Sequence, residues 1–343
     1  MFIFRPITVL TYLLSFLLLT ACHLRTEDLS QPNAQVEDQD KAFPLVRTTS
    51  TPDFDLGKSP YQFSENISYD LHERNTFDLI TPKSDTPTPL IVYIHGGGFT
   101  RGDKKAAYNK KVTEEIRTFV QNGIAFATIN YRYLRHSDEG VIASLKDCQR
   151  FVQFVRYYAD ELNIDSQRIA VYGTSAGGGA GLWLGTHDDL ADSRSVDPIA
   201  RESSRVKAVV AINTQSTYDI LKWESIFDRY NFDIGDPSFS TASLFDLFKI
   251  DAIEELRSPE LIDYRTQVDM IGMMSADDAT LYVKNSNPAK VPTKTQDLFH
   301  HPFHAKALRQ AAEAANLPHL IADSQRTARQ MISPAAFLLR ELD

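Results

Sequence analysis

From residue 65 onward, short β-rich apolar runs alternate with longer stretches in which apolar residues recur every three or four positions. The runs 76–80, 89–95, 124–131, 168–173, 206–213, 279–284 and 319–322 are predicted strands. Several are apolar throughout, as expected of strands covered by helices on both faces. Helices are predicted over 106–121, 141–162, 176–186, 303–316 and 333–342. Within 141–162, Ile142, Leu145, Val152, Val155 and Ala159 keep a single apolar stripe. Strands alternating with helices imply an α/β chain with a mostly parallel sheet and right-handed crossovers. The interval 214–275 breaks the alternation. Its Trp223, Phe227, Tyr230, Phe232, Phe239, Phe245 and Phe248 stand in an irregular setting, which predicts a cap-like insertion over the sheet.

Composition narrows the class of protein. The 343 residues are 43% hydrophobic and 24% charged, enough apolar material for a large core. Lys and Arg number 36 against 45 Asp and Glu, a net charge of −9, which argues against nucleic acid as a partner. Two cysteines, Cys22 and Cys148, provide neither a disulfide framework nor a thiolate metal site. No metal is expected.

The N-terminus points to export. Residues 1–21 carry one charge, Arg5, ahead of an apolar run over 7–19 that is short for a membrane span and suits a signal peptide. Leu19-Thr20-Ala21-Cys22 resembles the lipobox of bacterial lipoproteins, in which cleavage precedes a cysteine that then carries lipid. That resemblance implies an envelope protein anchored through Cys22, and His23 in the next position favours the outer membrane. Residues 22–60 are polar and acidic with four prolines, and are expected to form a flexible tether ahead of a domain over 61–343.

Two motifs bear chemistry. Gly173-Thr174-Ser175-Ala176-Gly177 lies between a predicted strand and a predicted helix. A sharp strand-to-helix turn there exposes a serine Oγ, and the following N–H points at a developing oxyanion. His95-Gly96-Gly97-Gly98-Phe99 follows the strand 89–95, and its bare backbone suits anion-binding N–H groups. His95 is expected to brace that loop.

With these motifs the chain resembles the α/β-hydrolase superfamily, specifically the HGGG-bearing esterases related to hormone-sensitive lipase and the bacterial feruloyl or acetyl esterase-like group. The resemblance implies an eight-stranded sheet, a Ser-His-acid triad, no cofactor, and a small-molecule or polysaccharide-linked ester as substrate. It makes Ser175 the nucleophile and Gly97, Gly98 and Ala176 the oxyanion donors. The family pattern also places an acid after the strand 279–284 and a histidine after the last strand. Here Asn285-Ser286-Asn287-Pro288 follows the former, and no histidine follows His319.

The base is therefore sought in Asp297-Leu298-Phe299-His300-His301-Pro302-Phe303-His304, at the sheet end that bears the nucleophile. Pro302 restricts His301 to an extended backbone, which favours His301 over His300 as base. Asp297 is the preferred acid, with Asp323 as the alternative. Asp147 and Arg150 are expected to make packing or surface contacts.

Overall fold

A computed structural model of the chain describes residues 41–236 and 242–343. The expected signal segment 1–21, Cys22, the tether as far as residue 40, and Phe239 lie outside these residues.

Eight strands form one sheet: β1 (Tyr61–Ser68), β2 (Thr76–Pro82), β3 (Thr88–Ile94), β4 (Ala125–Ile129), β5 (Ile164–Thr174), β6 (Ala208–Ile212), β7 (Thr280–Lys284) and β8 (His319–Ala322). Their order is β1-β2-β4-β3-β5-β6-β7-β8. β2 runs antiparallel to β1 and β4, and the remaining pairs are parallel. Residues of one strand divide between the two faces. In β3, Leu90, Val92 and Ile94 pack with the helices Val141–Tyr157 and Ala176–Thr186. Ile91 and Tyr93 pack on the other side with the helices Lys110–Gln121 and Pro334–Leu342. That double cover is why β3 is apolar at nearly every position. This is the α/β-hydrolase fold.

Between β6 and β7 the chain folds into short helical pieces, including Lys222–Ile226, Ala242–Phe248, Ile262–Gln267 and Met270–Met273. Trp223, Phe227, Phe232, Leu244 and Phe248 are buried, and they join the core on the side of the Ala176–Thr186 helix.

The expected tether is shorter than its composition implies, because residues 41–60 lie against the domain. Leu56 is fully buried, and Phe54 stacks on Tyr108 at 4.3 Å. Ser50 bridges to Phe63, and Tyr158 Oη donates to the Phe43 carbonyl. A few spaced aromatic and aliphatic anchors are enough to fix a polar strap.

Asp147 makes more than a surface contact. Its side chain is buried and accepts the Arg132 N–H at 2.8 Å as well as a forked guanidinium contact at 2.7–3.0 Å. It ties the segment after β4 to the Val141–Tyr157 helix. Arg150 bridges Asp70 and Asp197. Cys148 is buried, and desolvation pushes its thiol pKa well up. Among the described residues no helix is long and apolar enough to cross a membrane.

Asp147→Ala leaves the guanidinium and the Arg132 N–H without their acceptor. Because Arg132 keeps 27% of its side chain in solvent, the expected cost lies at or below the low end for a broken buried pair, on the order of 2–3 kcal/mol. Urea unfolding midpoints of parent and variant measure it, and unchanged midpoints would show that the pair contributes nothing net.

Candidate active site

Ser175 stands between the end of β5 and the first residue of the Ala176–Thr186 helix, with φ 55° and ψ −123°. For a residue with a side chain this is a strained conformation, and the surroundings enforce it. The Ser175 N–H donates to the Ile212 carbonyl at 2.9 Å. A methyl group at Gly177 would collide with the Ile94 carbonyl, and one at Gly173 with the Gly177 carbonyl. Only glycine at these two positions lets helix, β3 and β5 converge so closely. Ala176 then offers one of the N–H groups that a helix's first turn leaves without an intrahelical acceptor. Tyr218 Oη donates to the Ala176 carbonyl at 3.0 Å from the β6–β7 connection.

The loop after β3 lies directly against this turn, since a methyl at Gly96 would be 3.2 Å from Ser175 Cβ. Gly97, at φ +123°, and Gly98, at φ +62°, follow. The Gly97 carbonyl is turned away to accept the Thr100 and Arg101 N–H groups at 3.1 and 3.2 Å. His95 braces the loop from beneath. Its ring is fully buried and stacks on Tyr131 at 4.4 Å, and its Nδ1 lies 2.7 Å from the Gly96 carbonyl oxygen. Tyr131 Oη donates to the His95 carbonyl at 2.8 Å. Burial lowers the His95 pKa to about 4, so the ring is neutral.

The imidazole that meets Ser175 is that of His300, not His301: Ser175 Oγ and His300 Nε2 are 2.8 Å apart. Partial burial lowers the His300 pKa, and among the described residues no carboxylate opposes the shift. His301 points elsewhere. Its backbone is extended (φ −69°, ψ 141°), as Pro302 requires, and that conformation makes it the N-cap of the Pro302–Ala315 helix. His301 Nδ1 accepts the Phe303 N–H at 3.1 Å, and its Nε2 lies 3.1 Å from the Lys290 carbonyl. Asp297 does not reach an imidazole either. Its exposed carboxylate caps its own helix, accepting the N–H groups of Thr293 and Lys294 at 3.0 and 3.2 Å. Asp323, the alternative acid, pairs with Arg309 at 2.6 Å. His304 is buried against Trp223 and Phe227, with Nδ1 3.0 Å from Ser216 Oγ.

Three amide side chains that sequence reasoning did not single out hold the histidine loop. Gln215 Nε2 donates to the Phe299 carbonyl at 2.7 Å, Asn287 Nδ2 to that of His300 at 3.3 Å, and Asn285 Nδ2 to that of His301 at 3.4 Å. Asn285 also receives the Thr214 N–H at 2.9 Å, locking β6 to β7 beneath the loop. The residues standing where an acid was sought thus grip the backbone of the His300 segment. Their signal in the sequence was the paired Asn285 and Asn287 at a strand's carboxyl end.

Residues 77–240 match the BD-FAE family model. A probable isoprenylcysteine alpha-carbonyl methylesterase from Arabidopsis thaliana is 27% identical over 45% of this chain. The quorum-quenching protein AidA from Acinetobacter baumannii is 33% identical over 32% of it. The matched segments span only 31% and 35% of those two relatives. Among solved structures, a bifunctional GH43-CE protein from Bacteroides eggerthii superposes with a TM-score of 0.59 and 20% identity, covering 82% of this chain and 38% of that one. A truncated carbohydrate esterase from gut microbiota gives 0.57 and 17%, covering 83% and 99%.

The buried neutral histidines fix the sign of acid stability. His95 has a folded pKa near 4 against about 6.5 unfolded, so its contribution is complete above pH 6.5 and is lost as pH falls toward 4. His95 alone accounts for roughly 3 kcal/mol over that window, and His304, lowered to about 3 by burial, acts in the same direction. Calorimetric melting temperatures should fall steadily between pH 7 and 4.5. A flat profile would mean that these rings are solvated.

Proposed function

We propose that the chain is a serine hydrolase of carboxylic esters, a reading carried by the 2.8 Å contact between Ser175 Oγ and His300 Nε2 at a strained strand-to-helix turn. His300 with its proton on Nδ1 accepts the Ser175 proton at Nε2 as Oγ attacks the ester carbonyl. The carbonyl oxygen gains charge beside the N–H groups of Gly97, Gly98 and Ala176. His300 returns the proton to the leaving alcohol. Water, deprotonated by the same Nε2, then attacks the acyl-enzyme, and the proton passes back to Ser175 Oγ as the carboxylic acid leaves. The depressed His300 pKa keeps the ring in its accepting form at neutral pH. The matches to esterases over the central part of the chain support the same reaction.

Acyl esters borne on carbohydrate are the substrate class we favour. Gly98 is exposed and Ser175 is only half-buried, so a bulky alcohol portion has room outside the turn. Two structural neighbours, a carbohydrate esterase from gut microbiota and a bifunctional GH43-CE protein, agree with this choice. Attachment to the outer membrane through acylated Cys22 belongs to the same proposal. Replacing Cys22 by Ser should release the protein from the membrane fraction. A second reading, a hydrolase scaffold without turnover, draws on the lack of a carboxylate beside His300 among the described residues.

Turnover of p-nitrophenyl acetate and labelling by a fluorophosphonate separate the two. The parent should turn over and label, while Ser175→Ala and His300→Ala should each lose on the order of 10³-fold or more in kcat/KM. Asp297→Asn, at an exposed cap, should stay within about threefold of the parent. A parent protein that neither turns over nor labels would favour the scaffold reading. In the active enzyme kcat/KM should fall on the acid side with a midpoint below the ordinary imidazole value, because His300 must be neutral.

A further inference from the structure

We propose that His301 is the positioning residue that keeps His300 on Ser175, and that it does so only as a neutral imidazole. This rests on the reading of His300 as the base. The two ring nitrogens of His301 have opposite obligations. The Phe303 N–H can only donate, so Nδ1 at 3.1 Å must present a lone pair. The Lys290 carbonyl can only accept, so Nε2 at 3.1 Å must carry the hydrogen. One species meets both demands, the neutral Nε2–H tautomer. A proton added at Nδ1 sets N–H against N–H at the first turn of the Pro302–Ala315 helix, where the positive end of the helix dipole also opposes the charge.

His300 is bonded directly to this cap. Its backbone is the C-cap of the Thr295–Phe299 helix, and one residue later the chain enters the next helix. Protonation that releases the Phe303 cap therefore acts on the junction that carries the Ser175 partner.

The surroundings of His301 set the balance between its forms. Phe227 and Tyr230 from the β6–β7 connection pack edge-on to the ring at 5.2 and 5.6 Å, and Phe303 on its own helix does so at 4.5 Å. These rings offer an added charge no hydrogen bond. Lys290 presents its carbonyl, and Lys306 sits over the Phe303 ring at 5.8 Å. His304 faces the ring from the same helix and opposes a second charge, while Asp297 on the preceding helix favours one. Burial outweighs the Lys290 carbonyl and Asp297, which both favour the charge, and lowers the His301 pKa, so the neutral form prevails near pH 7 and is lost on acidification.

In the parent, full turnover then needs both imidazoles neutral, the base and its anchor. In the full chain, log kcat/KM for p-nitrophenyl acetate should fall with a slope above 1 through the His301 transition, an extra loss of about tenfold. His301→Asn keeps an N-cap oxygen that does not titrate. It should retain parent activity at pH 8 within about threefold and reduce the acid slope to 1. His301→Ala, with no cap, should lose about tenfold in kcat at pH 8 with KM unchanged, a loss of order 1 kcal/mol as for other deleted caps. A parent slope of 1 throughout, or a steeper limb that persists in His301→Asn, overturns the proposal. Long-range ¹H–¹⁵N correlation of the imidazoles in the parent tests the same point without turnover, and finding His301 with its proton on Nδ1 overturns it. Failure of the underlying reading has a different signature: His300→Ala as active as the parent, whatever His301 does.

Discussion

The approach of the Ala176–Thr186 helix to the end of β3 governs the corner around Ser175. Gly177 lies so near the Ile94 carbonyl that no side chain fits between them, and that contact sets where the helix begins. The start of the helix in turn leaves Ser175 with a positive φ and its Oγ outward, and leaves the Ala176 N–H without an intrahelical acceptor. The same contact brings the Gly96–Gly98 loop, one residue beyond β3 and His95, alongside the serine. One steric constraint thus assembles parts contributed by residues some 80 positions apart. His95 and Tyr131 supply the floor that keeps the loop from collapsing into the space the glycines leave open.

The histidine reaches this corner by a different route. It comes from a segment between two helices, held by Gln215, Asn287 and Asn285 through three successive carbonyls and by His301 through a helix cap. A triad acid ordinarily orients its histidine through the imidazole. In this chain, among the described residues, orientation is imposed on the backbone, and the side chain follows. Such a hold fixes where the ring begins and leaves Nδ1 outside the arrangement.

Much of this was legible in the sequence for identifiable reasons. Strands buried on both faces read as continuous apolar runs, so seven of the eight strands were visible, and the Val141–Tyr157 helix kept its apolar stripe. β1 was not, because a bulge between Ser64 and Ile67, with Asn66 at φ 55°, interrupts its alternation at the sheet's edge. The glycine spacing around Ser175 was readable because close backbone approach admits no other residue. The histidine was misplaced by an inference that was right about the backbone. Pro302 does hold His301 extended, but an extended residue ahead of a helix is a cap, and its side chain turns back onto the helix. Composition also misled at 41–60, where a few anchors outweigh a polar average.

The amide grip on the histidine loop has a consequence for how the site meets its surroundings. Gln215, Asn285 and Asn287 are neutral donors to neutral carbonyls, and the imidazoles they position are uncharged near pH 7. Debye screening acts on charges and has little hold on such bonds. A protein with a net charge of −9 will feel ionic strength strongly over its surface, while the geometry of the corner around Ser175 stays indifferent to salt.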